Sequence, residues 1–305
     1  MSVLSVEHIS KAFGDFKAVD DVSFSIDEGV IFGLLGPNGA GKTTTIRMIM
    51  NIIIPDSGSV AVLGNRDAKT ANDLVGYLPE ERGMYRKMKV GRLLRFLTEL
   101  KRMDKGEARK AIDMWLERLD LSDWKNKKIE ELSKGMQQKI QFIGTILHRP
   151  KLLILDEPFG GLDPINQNVI KEILLELKQN GTTVIFSTHV MESAEKLCEE
   201  IFLINKGRKV LYGKLGEVKK SFGRQNIILE YEGSDAFLKS SNQIKTFDNY
   251  GNYVEVQLAP GGDPQRLLKE AVAAVTVRKF EMKDPSLHDI FLESMGGTSE
   301  KGGTQ

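Results

Sequence analysis

One cysteine, Cys198, occurs in 305 residues, which excludes an internal disulfide framework and any cysteine-rich metal site and fits a reducing compartment. Neither sign of charge dominates. Lys and Arg number 43 against 42 for Asp and Glu, a formal net charge of +1, which argues against a protein that works by blanketing nucleic acid with positive charge. No stretch approaches the ~20 apolar residues needed to span a bilayer. The opening residues, Met1 to His8, lack the basic flank and apolar run of a signal peptide, so none is expected. What is present is a 41% hydrophobic, 28% charged chain, enough apolar material for a buried core. Its length suits one large domain or two medium ones. The composition implies a cytosolic protein, with any membrane part supplied by a partner.

Val22, Phe24 and Ile26 alternate with Ser23 and Ser25 as a half-buried strand does, before a turn at Asp27-Glu28-Gly29. Val30 to Leu35 is continuously apolar, as in a strand buried on both faces, and runs into a glycine-rich loop followed by helical spacing over 43–50. From about Val90 to Leu147 apolar residues recur at helical spacing, notably Ile112, Trp115, Leu116 and Leu119, then Met136, Ile140, Ile143 and Leu147. Strands are expected again at Leu152–Leu155 and Thr183–Phe186, separated by a helix at Ile165–Gln179, a parallel arrangement. Beyond about Gly213 the character changes. Short strands are expected at Asn226–Tyr231 and Tyr253–Leu258 and a helix at Pro264–Ala274. Asp284-Pro285 would cap and open a last helix running to about Met295. The glycine-rich end, 296–305, is expected to be disordered.

Gly36-Pro37-Asn38-Gly39-Ala40-Gly41-Lys42-Thr43 fits G-x-x-x-x-G-K-[ST], in which backbone N–H groups curl around phosphate oxygens at a helix N-terminus. Lys42 would reach the β- and γ-phosphates, and the Thr43 hydroxyl would ligate Mg²⁺. Leu152-Leu153-Ile154-Leu155-Asp156-Glu157 is an apolar strand ending in two carboxylates. Asp156 would hold the metal through water and Glu157 would act as general base toward water, although carboxylates after strands also serve as helix caps. In Leu132-Ser133-Lys134-Gly135-Met136-Gln137-Gln138, Ser133 stands where an N-cap belongs, and taken alone the segment reads as an ordinary capped helix.

Together these segments resemble the ATP-binding subunit of the ATP-binding-cassette (ABC) transporter family over roughly residues 3–215. Leu132 to Gln138 is similar to that family's L-S-G-G-Q signature. Phe13 matches the aromatic that stacks on adenine, though it could equally be a core residue, with Phe16 as its rival. Gly160-Gly161-Leu162-Asp163 matches the D-loop, and Ser187-Thr188-His189 the switch histidine. The resemblance implies an α/β P-loop NTPase core with a β-subdomain and a helical subdomain at about 84–148 within residues 1–221. A small α+β accessory domain would follow at 222–295. It implies ATP and Mg²⁺ as cofactors, held by Phe13, the loop Gly36, Pro37, Asn38, Gly39, Ala40, Gly41, Lys42, Thr43 and Thr44, and Glu80. Ser133, Gly135 and Asp163 would join them, with Thr43, Glu80 and Asp156 at the metal and Lys42, Glu157 and His189 in catalysis. It also implies a dimer in which each ATP lies between one copy's P-loop and the other's signature helix, docked on a separate permease at the inner face of the membrane. The alternatives are a soluble cassette ATPase acting on nucleic acid or ribosomes, and an import-type ATPase.

Two departures stand out. Glu80 occupies the family's glutamine position; it can still offer oxygen to Mg²⁺, with Arg82 to offset its charge, or be a solvated acid in a charged loop. Lys134 and Met136 replace the usual Gly and Gln, retaining backbone donors but adding charge and removing an amide. Leu78-Pro79-Glu80-Glu81-Arg82-Gly83, the signature wording and Asp284 to Leu292 resemble the export branch paired with ABC-2-like permeases, the group containing sodium-extrusion and drug-efflux ATPases.

Overall fold

The computed structural model describes residues 2–65, 73–81, 83, 85–222, 226–259 and 261–294. Arg82, Met84 and the tail 296–305 lie outside them. The chain divides into two compact units, 1–214 and 215–305, ahead of the boundary expected at 221–222.

The first unit contains two sheets. Strands β1 (Ser2–Phe13), β2 (Phe16–Asp27) and β4 (Ser57–Val62) form an antiparallel sheet in the order β2-β1-β4. The second is six-stranded in the order β5-β6-β7-β3-β8-β9, comprising β3 (Ile31–Leu35), β5 (Val75–Leu78), β6 (Leu152–Asp156), β7 (Thr183–Thr188), β8 (Glu200–Asn205) and β9 (Arg208–Lys214). All neighbours run parallel except β9, which returns antiparallel to β8. All five residues of β3 and all five of β6 are buried, as continuously apolar strands in a covered parallel sheet must be. One apolar cluster joins the two sheets through Phe24, Phe32 and Phe202 and takes in Ile46, Met48 and Ile49 of α1 (Lys42–Ile49). The alternation of Val22, Phe24 and Ile26 points into it. Cys198 is buried against Gly33, where an added Cβ would stand 2.7 Å from its Sγ, and burial pushes its thiol pKa upward.

Helices α2 (Val90–Leu100), α3 (Lys105–Arg118) and α4 (Lys134–Ile146) pack on one another through Leu93, Leu94, Ile112, Trp115, Leu116, Ile140 and Ile143, the stripes visible in the sequence. Asp104 caps α3 by accepting from the N–H groups of Gly106 and Glu107. Helix α5 (Pro164–Gln179) connects β6 to β7, and α6 (Met191–Leu197) connects β7 to β8, completing the strand–helix–strand repeat.

The second unit opens with α7 (Leu215–Ser221). Its antiparallel sheet has the order β11-β12-β10-β13, from β10 (Asn226–Glu232), β11 (Ile244–Asn249), β12 (Val254–Leu258) and β13 (Thr276–Lys283). Helices α8 (Ala236–Ser240) and α9 (Pro264–Ala274) contribute Phe237, Leu238, Leu267 and Ala271 to a core shared with Ile227, Leu229, Val254 and Val256. The last helix, α10 (Leu287–Ser294), does not begin at Asp284-Pro285 as expected. β13 keeps the chain extended through Lys283, and Ser286 is the cap: its hydroxyl accepts from the Asp289 N–H at 3.1 Å, while its own N–H donates to the Asp289 carboxylate at 3.3 Å.

Candidate nucleotide site

At the C-terminal end of β3 the chain turns through Gly36 and closes at Gly41 onto α1. Both positions require glycine. Gly36 has φ +155° and a Cβ there would lie 2.2 Å from the Ile204 carbonyl; Gly41 has φ +110° and a Cβ would lie 2.6 Å from the Ala18 carbonyl. The loop is thereby pressed against β8 and β2, with the free N–H groups of the first turn of α1 at its mouth. No acidic residue stands in that turn to oppose an anion. Thr43 and Thr44 are half-buried there, and Asn38 and Gly39 are exposed on the loop.

Lys42 is 6% exposed, and its ammonium donates to the carbonyls of Gly36 at 2.8 Å and Pro37 at 3.2 Å, with Glu157 Oε1 3.8 Å away. Burial pushes its pKa below the ordinary lysine value, and the charges of Glu157, Asp156 and Glu80 oppose that shift. The lysine is thus surrounded by acids from two further segments.

β6 delivers Asp156 and Glu157 to the same cleft. Asp156 is 1% exposed; its Oδ1 accepts from the Ser187 hydroxyl, whereas its Oδ2 is buried with no hydrogen-bond partner among the described residues. Glu157 adopts φ +49°, unusual for a non-glycine residue, and its carboxylate gathers the His189 N–H at 3.2 Å, His189 Nδ1 at 2.8 Å and the Thr188 hydroxyl at 3.3 Å. A cavity of about 290 Å³ opens between these groups, bounded by Asn38, Glu80, Gln141, Asp156, Glu157 and His189 among others. Glu80 therefore reaches the cleft from the loop after β5.

A buried carboxylate oxygen without a partner is costly, so Asp156 Oδ2 fits a cation, with the Thr43 hydroxyl as a second oxygen donor of the kind Mg²⁺ takes. Among the described residues no group of three or more His, Cys, Asp and Glu side chains could hold a metal. A Mg²⁺ that takes most ligands from water and phosphate needs no such group.

Other expected residues stand elsewhere. Ser133 caps α4, its hydroxyl accepting from the Met136 N–H at 3.3 Å, and Gly135 comes nearest to Gly161 and Leu162. Asp163 caps α5 by accepting from the Asn166 N–H at 2.9 Å, which holds its carboxyl below the usual range. Phe13 is 50% exposed and Phe16 63%, cross-strand partners at the tip of the β1–β2 hairpin, so Phe13 belongs to no core. None of Phe13, Ser133, Gly135 and Asp163 bounds the cleft. Two glutamines of α4 escaped the sequence reading: Gln141 borders the cleft, and so does Gln138, whose amide donates to the Pro158 carbonyl at 2.7 Å. Their i, i+3 spacing, which sets them on one face of a capped helix, is the available signal.

A P-loop after β3 and paired acids at the end of β6, with β7 between the two strands, define a P-loop nucleoside triphosphatase. The comparisons are narrower. Residues 19–160 match the ABC transporter family, and residues 213–295 match the C-terminal domain of DrrA1-3-like ATP-binding proteins. The chain is 46% identical over 298 residues to YhaQ, an uncharacterized ABC transporter ATP-binding protein of Bacillus subtilis (strain 168), covering 98% of this chain and 100% of that one. It is 36% identical to the Nod factor export ATP-binding protein I of Ralstonia nicotianae (strain ATCC BAA-1114 / GMI1000), covering 71% of this chain and 68% of that one. A solved ATP binding subunit of an ABC transporter superposes with a TM-score of 0.69 at 30% identity, over 72% of this chain and 93% of that one. The chain belongs to the ATP-binding subunits of ABC transporters, and is an ATP-hydrolysing member of that class.

Proposed function

We propose that two copies of this chain close on two Mg·ATP and drive export through a separate membrane permease. The single observation that carries the hydrolytic part is the cleft in which Lys42, Asp156, Glu157 and His189 converge. Among the described residues no helix is long and apolar enough to cross a membrane, so on this reading the translocation path is the permease's and the chain is peripheral to the membrane. Export rather than import is supported by the relative named for Nod factor export. On this reading the two compact units are functional domains: a motor and an accessory domain.

In the mechanism, the loop N–H groups and the Lys42 ammonium hold the β- and γ-phosphates, placing the γ-phosphorus for in-line attack. Glu157 takes a proton from the attacking water at its carboxylate, and His189 fixes the orientation of that carboxylate through Nδ1. Thr43, Glu80 and Asp156 would hold Mg²⁺, which would supply neutralisation of phosphate charge. Ser133 and Gly135, which do not bound their own cleft, present the N-terminus of α4 to the nucleotide of the second copy, and Phe13 stacks on the base. Lys134 adds a positive charge to that contact and steadies the closed dimer. Glu80 couples the cleft to the permease.

Glu157→Gln tests the reading. Turnover should fall about 10³-fold, the range for loss of a positioned general base, while ATP affinity is retained. A fully active variant would overturn it.

A further inference from the structure

The register of the parallel sheet sets Ser187 of β7 beside Asp156 of β6. Ser187 is 0% exposed, so its side chain cannot reach a ligand in the cleft. A hydroxyl has one proton to donate and can accept as well. Here both capacities are used within the pair of acids. The Ser187 hydroxyl donates to Asp156 Oδ1, and the same oxygen accepts the N–H of Glu157 at 3.2 Å. The Ser187 carbonyl takes that N–H too, also at 3.2 Å.

We infer that Ser187 is a positioning residue that locks the Asp156 carboxylate so that its unpartnered Oδ2 faces the metal, and that pins the left-handed backbone of Glu157 in the same stroke. The inference rests on reading Asp156 as the metal-holding carboxylate and Glu157 as the base. It follows from the asymmetry of Asp156: one oxygen is fixed by a buried donor and the other has no hydrogen-bond partner among the described residues. Without the donor, the carboxylate can rotate about χ2, and neither oxygen is held toward the cleft. Partners that orient a metal ligand from behind are worth about 10–100-fold in metal affinity. Ser187→Ala should therefore act on the Mg²⁺ dependence of nucleotide binding and leave the nucleotide's own contacts unchanged.

The test is binding of the fluorescent analogue mant-ATP to the full chain, without turnover, titrated with Mg²⁺ and repeated in EDTA. Ser187→Ala should raise the Mg²⁺ concentration for half-maximal binding about tenfold, with affinity in EDTA within about twofold of wild type. Ser187→Thr, which keeps the hydroxyl, should restore the wild-type Mg²⁺ response. Asp156→Asn is the control for the underlying reading and should shift the Mg²⁺ dependence at least as far. If Asp156→Asn shifts it and Ser187→Ala does not, the positioning role is wrong while the metal assignment stands. If neither does, the metal assignment itself fails and the inference with it. An equal loss in Mg²⁺ and in EDTA would mark a general structural role and overturn the inference. Should the alanine variant fail to fold, Ser187→Cys, similar in volume and a weaker donor, carries the same test: an intermediate shift supports the role and a wild-type response overturns it.

Discussion

The two units bury different kinds of side chain. In the first, Lys42, Asp156, Ser187 and Thr188 are all under 9% exposed at the ends of strands and the start of α1, and Glu157 sits beside them. In the second, the core is Ile227, Leu229, Phe237, Leu238, Val254, Val256, Leu267 and Ala271, and the single buried polar side chain among its described residues is Gln243. Burying ionisable groups costs stability unless they are paired, so a fold keeps them where chemistry needs them. The first unit keeps buried charge at its nucleotide cleft; the described core of the second is apolar apart from Gln243. Each unit should therefore fail in its own way.

The largest effect is expected in the first. Lys42→Ala removes the buried cation from the phosphate loop and should lower ATP turnover about 10²–10³-fold, measured as phosphate release, with little change in melting behaviour. An equal loss of stability would blur the contrast. In the second unit, Leu267→Ala opens a cavity in an apolar core and should cost about 3 kcal/mol of that unit's stability by denaturant titration. ATP binding to the same variant should be unchanged; a parallel loss would mean the units do not act separately.

Acid should discriminate between them as well. His148 in the first unit is half-buried, its Nε2 faces the Val75 carbonyl at 3.2 Å and its buried Nδ1 has no hydrogen-bond partner among the described residues; desolvation, and then the charge of Lys101, push its pKa from 6.5 down to about 4. The folded state keeps this histidine neutral while the unfolded state protonates below pH 6.5, so its contribution is full above that value and is lost as the pH falls toward 4. The loss is about 2 kcal/mol after allowing for partial exposure, and His148→Gln should flatten it in a pH series of melts. The smallest effect concerns the hairpin. Phe13→Ala should weaken ATP binding about tenfold by removing one stacking face, whereas Phe16→Ala should leave it unchanged. The reverse result would transfer the stacking role to Phe16.

Much of the first unit is legible in its sequence because its strands are unbroken apolar runs and its loop needs glycine for steric reasons. The stretches Leu152–Leu155 and Thr183–Phe186 fall within β6 and β7, and the helical spacing at 43–50 and Ile165–Gln179 within a residue of α1 and α5. In the second unit β13 is hidden, since Thr276–Lys283 is an edge strand rich in Lys, Arg and Glu whose alternation is broken at Arg278-Lys279, where the register shifts. The cap of α10 was misplaced because Asp284-Pro285 is a good local signal that the preceding strand overrides. Within the site, residue types at fixed spacing reveal Lys42, Asp156 and Glu157, but the Ser187 bond to Asp156 depends on strand register. Register between segments thirty residues apart is set by packing rather than by either segment alone.

The geometry that most demands explanation is that the capped N-terminus of α4, with Ser133 and Gly135, bounds no part of its own cleft. On the proposed reading it serves the nucleotide of a second copy. Light scattering of the Glu157→Gln variant, with and without Mg·ATP, tests this directly. The proposal predicts the mass of one chain without nucleotide and twice that mass with it, reverting when Ser133→Arg is added to block the α4 terminus. A variant that binds Mg·ATP yet keeps the mass of one chain would contradict it.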